Sequence, residues 1–211
     1  MFSSAISRFW LFMVLCSFTM LVSGEVVADQ WEAGTHYTLV AKPQPPGGTK
    51  PEILEVFNFK CPHCEKLRPV FAEWAEQNKK NYNIKATPIY WGKQTDKPLK
   101  ALYAAQYMGK GEEMKHAIFT AFFARKQDIE NENILTILAQ DIGLDITEFR
   151  NNMKSFGVLA KVGQGSRLAS ALGVHSTPTI VVNRTYQVTL NHAEGNEKRF
   201  FTIIEDLAHR K

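Results

Sequence analysis

In ILEVFNFKCPHC, residues 53–64, a run rich in β-branched and aromatic residues ends on two cysteines separated by two residues. The apolar half, ILEVFNF (53–59), has the make-up of a buried strand. Beyond the cysteines, EKLRPVFAEWAEQNKKN (65–81) sets Leu67, Val70, Phe71 and Trp74 at helical spacing. Pro62 suits the first turn of that helix, where its missing N–H costs nothing, and Pro69 should kink it. Cys61 therefore stands at a strand-to-helix junction with Cys64 one turn further on. Two cysteines so placed can hold a metal, close a structural disulfide or carry out redox chemistry.

Working outward, IKATPIYW (84–91) reads as a second strand, so the order strand, helix, strand begins a βαβ unit. Upstream, residues 29–50 are turn-rich, with YTLV (37–40) as a short edge strand. Downstream, residues 97–172 are helical in pattern throughout. LKALYAAQYM is followed by Gly109 and Gly111, then EEMKHAIFTAFFARK; NILTILAQDIG has Asn131 near its start and Gly143 as its stop. ITEFRNNM follows Asp145, with Glu148 three positions on in a capping-box-like arrangement, and FGVLAKVGQGSRLASAL ends at Gly173. TPTIVVN (177–183) and TYQVTL (185–190) then read as two strands joined by a tight turn at Asn183-Arg184. EKRFFTIIEDLAHR closes the chain as an amphipathic helix with Phe200, Ile203, Ile204 and Leu207 on one face.

The chain has 211 residues, of which 45% are hydrophobic, enough for one large domain with a full core or a domain with an insertion. Its net charge of +4 is scattered rather than blocked, which argues for solvated helix faces and against nucleic-acid binding. The first 28 residues are unlike the rest. Arg8 is the only charge before Glu25, and Phe9 to Val22 is a mostly apolar run of 14 residues. That length fits the core of a secretory signal and is short of the roughly 20 residues of a spanning helix. Cleavage is expected after Gly24 or Ala28. Cys16 would leave with the signal, so the mature chain keeps Cys61 and Cys64 alone, in a compartment where disulfides persist.

A zinc site needs four ligands, and CxxC supplies two. The histidines, at 36, 63, 116, 175, 192 and 209, contain no HxxxH pair to supply the rest. A structural disulfide closing so short a loop would constrain the unfolded chain very little. A redox pair, in contrast, needs one stabilised, exposed thiolate and a second thiol in reach. At the helix start the Cys61 sulfur meets unpaired N–H groups and the positive end of the helix dipole. His63 is expected to add a donor or a positive charge beside it. Such settings bring a thiol from about 8.5 to roughly 3.5–7.5. A low pKa makes Cys61 a good leaving group and stabilises the reduced form, so the disulfide becomes an oxidant.

ILEVFNFKCPHC, the helical block and the TPTIVVN hairpin together resemble the DsbA family of bacterial thiol:disulfide oxidoreductases. The likeness runs over nearly all of residues 29–211 in element order, and CPHC is the family's characteristic dipeptide choice. DsbA proteins themselves define the low end of the thiol range above and the strongly oxidising disulfide. The resemblance implies an α/β chain with a thioredoxin fold and an inserted all-helical domain. Residues 29–95 and 158–211 would form the thioredoxin parts, 96–157 the insertion and 1–28 the signal peptide. It also implies that Cys61 is the exposed nucleophile and Cys64 its buried partner, with Pro62 and His63 between them. Pro178 would be the family's cis-proline beside the cysteines, and Glu55 its buried acidic residue beneath the active site.

Thr177 departs from the pattern, because the best-known oxidases of the family carry valine before the cis-proline and thioredoxin-fold isomerases often carry threonine. The resulting expectation is a monomeric periplasmic thiol oxidase that needs no metal or organic cofactor. It would act on exported proteins with free cysteines and be reoxidised by a quinone-linked membrane protein of the DsbB type. A disulfide isomerase or reductase of the same superfamily, or a non-catalytic peptide-binding chaperone, is the alternative.

Overall fold

The structure, a computed structural model, describes residues 30–43 and 48–210. The expected signal segment, 1–28, lies outside them. Strands β1 (Thr38–Leu39) and β2 (Glu52–Phe57) lead into helix α1 (Pro62–Asn78) and strand β3 (Asn83–Pro88). Five helices follow: α2 (Lys97–Tyr107), α3 (Gly111–Phe123), α4 (Glu132–Asp141), α5 (Ile146–Lys154) and α6 (Phe156–Ala171). The chain then returns through β4 (Thr179–Val182), β5 (Tyr186–Val188), a 3₁₀ turn (Leu190–Ala193) and α7 (Glu197–His209).

The five strands form one mixed sheet in the order β1-β5-β4-β2-β3, with β2 and β3 parallel and the other neighbours antiparallel. This is the thioredoxin-like α/β architecture. All six residues of β2 are buried, and its four apolar side chains divide among three apolar cores. Ile53 packs with Leu67, Phe71 and Trp74 of α1 and with Phe200, Ile203, Ile204 and Leu207 of α7. Leu54 and Val56 face the opposite way, against Val181, Ala169 and Leu172. Phe57, at the carboxyl end, joins the core of the helical block with Cys64, Leu99, Ile118 and Phe119. A strand with both faces covered reads as the near-continuous apolar run seen in the sequence.

Local chemistry accounts for the element ends. Asn131 caps α4 and Asp145 caps α5, where Asp145 Oδ1 accepts the Glu148 N–H at 2.7 Å. Asn183 and Arg184 take φ of 49° and 53°, the left-handed pair that matches strand twist in a two-residue hairpin. α1 continues unbroken through Pro69. All five strands are shorter than the runs read for them, and three of them end early at their carboxyl side for identifiable reasons. β2 stops at Phe57 because Asn58 turns out of the ladder, β3 stops at Pro88, after which Ile89 still donates to Phe57 O at 2.8 Å but its carbonyl is taken by the Asn58 side chain, and β5 stops at Val188, where Thr189 opens the 3₁₀ turn.

α6 serves two cores. Val158 and Val162 pack in the helical block, whereas Ala169 and Leu172 pack under the sheet. The boundary expected between 157 and 158 thus falls inside one continuous helix. Close approach of α6 to the sheet requires glycine at 165, since a Cβ there would lie 2.9 Å from Thr87 Cγ2.

Candidate redox site

Parallel β2 delivers the chain to its carboxyl end, and α1 starts there with Cys61 as the N-cap residue and Pro62 at its first turn. Cys61 has extended φ/ψ of −87° and 118°, and no side chain caps the first turn. The His63 and Cys64 N–H groups therefore face the Cys61 sulfur, the Cys64 N–H also donating to the Cys61 carbonyl at 3.1 Å. Both cysteines are thiols in this structure; Cys61 is half-buried, and Cys64 is 1% exposed.

The two sulfurs are driven in opposite directions. The Cys64 thiol donates to Cys61 and, against the opposing effect of burial, pushes the Cys61 pKa down to about 5. The Thr177 hydroxyl and the backbone N–H groups of Cys64 and His63 add to the effect. Cys64 is pushed up, first by its bond to the Cys61 sulfur and then by burial. His63 reaches the sulfur through its backbone N–H, while the residue itself is exposed. Of the donor or positive charge expected from His63, the sulfur meets a donor, and it comes from the backbone. First-turn N–H groups point along the axis toward the cap, whereas side chains radiate from the helix surface.

Residues 116 positions downstream complete the site. The Thr177–Pro178 peptide bond is cis, and the Thr177 carbonyl oxygen lies 3.1 Å from Cys61 Sγ, accepting from the thiol. Thr179 Oγ1 donates to Ser176 O at 2.8 Å and so ties the loop to the start of β4. Pro178 is buried, and His175 and Ser176 are exposed. Since the Thr177 hydroxyl favours the thiolate, Thr177→Val should raise the Cys61 titration midpoint. A hydrogen bond to a charged group is worth about 1.5–3 kcal/mol, and half-exposure screens it, so a rise of about half to one pH unit is expected. Thiolate absorbance against pH measures it; an unmoved midpoint would make the hydroxyl a bystander.

Glu55 is 2% exposed and lies on the face of β2 that also carries Phe57. Lys115 of α3, 7% exposed, donates from Nζ to Glu55 Oε2 at 2.6 Å and sits 4.3 Å above the Phe57 ring centroid. Sequence reasoning missed Lys115; the available signal was a lysine next to Met114 and four residues before Phe119 in an apolar helix face. It also missed Asn58, a polar residue closing an apolar strand. A cleft of about 950 Å³ reaches this pair, lined also by Ala72, Ala86, Tyr103 and Leu168, and neither cysteine lines it. Among the described residues no cluster of histidine, cysteine and carboxylates is arranged to hold a metal.

The model of the DSBA-like thioredoxin domain family matches residues 72–198, more than half of the chain, beginning just after the two cysteines. Among curated proteins, the chain is 26% identical over 174 residues to the thiol:disulfide interchange protein DsbA of Pseudomonas aeruginosa, covering 81% of this chain and 82% of that one. It is 28% identical over 183 residues to the Bordetella pertussis protein of the same name, covering 85% and 86%. Among solved structures, Pseudomonas aeruginosa DsbA superposes with a TM-score of 0.77 at 23% identity, covering 86% of this chain and 94% of that one. Reduced DsbA1 from Neisseria meningitidis gives 0.69 at 25% identity, covering 84% and 93%.

Proposed function

Because this chain belongs to the DSBA-like thioredoxin family and is a thiol:disulfide oxidoreductase, we propose that Cys61 and Cys64 are its exchanging pair and that exported proteins are its substrates. In the oxidised enzyme a substrate thiolate attacks Cys61 Sγ. The Cys61–Cys64 bond breaks, a substrate–Cys61 disulfide forms, and Cys64 leaves and takes up a proton. A second substrate thiolate then attacks the substrate sulfur of that bond and expels Cys61 as a thiolate. The substrate dithiol has lost two electrons, and the enzyme has gained them.

One observation carries the direction of this exchange: the opposite displacement of the two sulfurs. Cys61, lowered to about 5, departs readily at neutral pH. Cys64, raised and buried, holds its proton once released. Pro178 and Thr177 lie where an extended substrate backbone could run past Cys61. Glu55, with Lys115, is a modulating group beneath the site, and Pro62 sets the helix start. In this reading residues 96–157 are the inserted domain, and 29–95 with 158–211 the thioredoxin parts. The apolar stretch before residue 28 supports export to the periplasm, where in this reading the protein acts as a monomer. Reoxidation falls to a quinone-linked membrane protein of the DsbB type.

The test is disulfide transfer from the oxidised protein to a reduced, unfolded polypeptide bearing two thiols, together with equilibration against glutathione. One disulfide delivered per protein molecule, with an equilibrium favouring reduced enzyme, is expected. An equilibrium favouring oxidised enzyme would turn the reading toward a reductase or isomerase.

A further inference from the structure

The segment between β2 and Cys61 is held by a side chain that the exchange reaction itself does not call for. Asn58 is 2% exposed, and its whole amide is engaged. Oδ1 accepts the Lys60 N–H at 2.7 Å. Nδ2 donates to Ile89 O at 2.9 Å and to Gln94 Oε1 at 2.7 Å. The backbone carbonyl accepts the Cys61 N–H at 3.1 Å. A buried amide with that many partners is costly to lose and gives the apolar core nothing that leucine would not.

What it gives is a turn of one shape. The i to i+2 bond from Oδ1 and the i to i+3 bond from the carbonyl lock residues 58–61. With its own N–H turned back to Asn58, Cys61 leaves the N–H groups of His63 and Cys64 facing its sulfur. The backbone N–H of Asn58 also favours the ionised form of Cys64, so one residue touches the surroundings of both sulfurs. Gln94 extends the link, because its Oε1 also accepts the Trp91 N–H at 3.1 Å. The loop after β3 is thereby pinned to the turn that carries the dithiol.

We propose that Asn58 is a positioning residue for the Cys61–Cys64 pair, setting the geometry of the two sulfurs through a turn anchored by Gln94 and Ile89. The inference rests on these cysteines being the exchanging pair. Asn58→Ala should raise the Cys61 titration midpoint by about one pH unit and shift the glutathione equilibrium about tenfold toward the disulfide. Gln94→Leu cuts the remote anchor and leaves the Asn58–Lys60 bond, so it should shift both readings in the same direction by a smaller factor.

The experiment measures thiolate absorbance against pH, the glutathione equilibrium and denaturant stability for the wild-type protein and both variants. A loss of stability with midpoint and equilibrium unchanged would reduce Asn58 to a structural residue and overturn the proposal. If Asn58→Ala does not fold, Gln94→Leu decides alone, and unchanged readings there overturn it equally. A wild-type protein that transfers no disulfide would instead defeat the functional reading, whatever the variants do.

Discussion

Glu55→Gln is expected to cost the folded chain about 3–5 kcal/mol, because it removes one partner of a buried ion pair and strands the other. Lys115 is 7% exposed and its ammonium lies 2.6 Å from the carboxylate, with the Phe57 ring on its other side. Glutamine still offers a carbonyl oxygen, so the loss should fall at the low end of that range. Lys115→Met leaves the carboxylate without its cation and should be at least as damaging. The double change Glu55→Leu with Lys115→Met removes both charges and should recover most of the loss, since a buried pair replaced by apolar side chains of similar volume is often neutral or stabilising. Denaturant midpoints of the single and double variants, read as a cycle, give the coupling. Single variants within about 1 kcal/mol of wild type would mean that water entering the adjoining cleft already solvates the pair.

The reduced form should gain stability over the oxidised form as pH rises from about 5 to 8. Cys61 is lowered in the folded state to about 5, whereas in the unfolded chain it titrates near 8.5. A depressed pKa contributes stability that is fully present above the unfolded value and is lost as pH falls through the folded one. The oxidised form has no thiol at Cys61 and lacks this contribution. Two pH units above the folded value correspond to about 2.7 kcal/mol. Cys61 is half-exposed, and screening brings the gain at pH 7 to on the order of 1–2 kcal/mol. Cys64 is raised and stays a thiol in both states across this window, so it opposes the trend only above about 8.5. Denaturant melts of both forms at pH 5, 6, 7 and 8 are the measurement. A difference that stays flat with pH would show that Cys61 is not ionised in the folded protein.

Much of this molecule was legible locally. The apolar run before CPHC, the helical spacing after it and Pro62 at a helix start place Cys61 at the mouth of α1 without knowledge of any other part of the chain. The caps at Asn131 and Asp145 and the hairpin at Asn183-Arg184 were equally readable, since each depends on a few neighbouring residues. Strand ends were read too long because an apolar residue satisfies the pattern whether or not its backbone stays in the ladder. At Asn58, Ile89 and Thr189 side-chain and turn hydrogen bonds take the backbone out of the ladders, which hydrophobicity does not register.

The acid at residue 55 illustrates the limit of such reading. Alternation along a strand is compatible with a solvent-facing Glu55, and the resemblance to the family suggested a buried one. Burial is what the packing of α3 produces, because it brings Lys115 from 60 residues away onto the same face of β2.

Local chemistry is enough to put two cysteines about the start of a helix at the end of a buried strand, because periodicity, proline stereochemistry and capping act over a few residues. What surrounds their sulfurs depends on packing between distant parts of the chain. Thr177 arrives at Cys61 from 116 residues away, Lys115 reaches Glu55 from 60, and Gln94 reaches Asn58 from 36. Contacts of this kind arise when helices and sheet close on common cores, and no run of neighbouring residues encodes the distance between two side chains that meet only there.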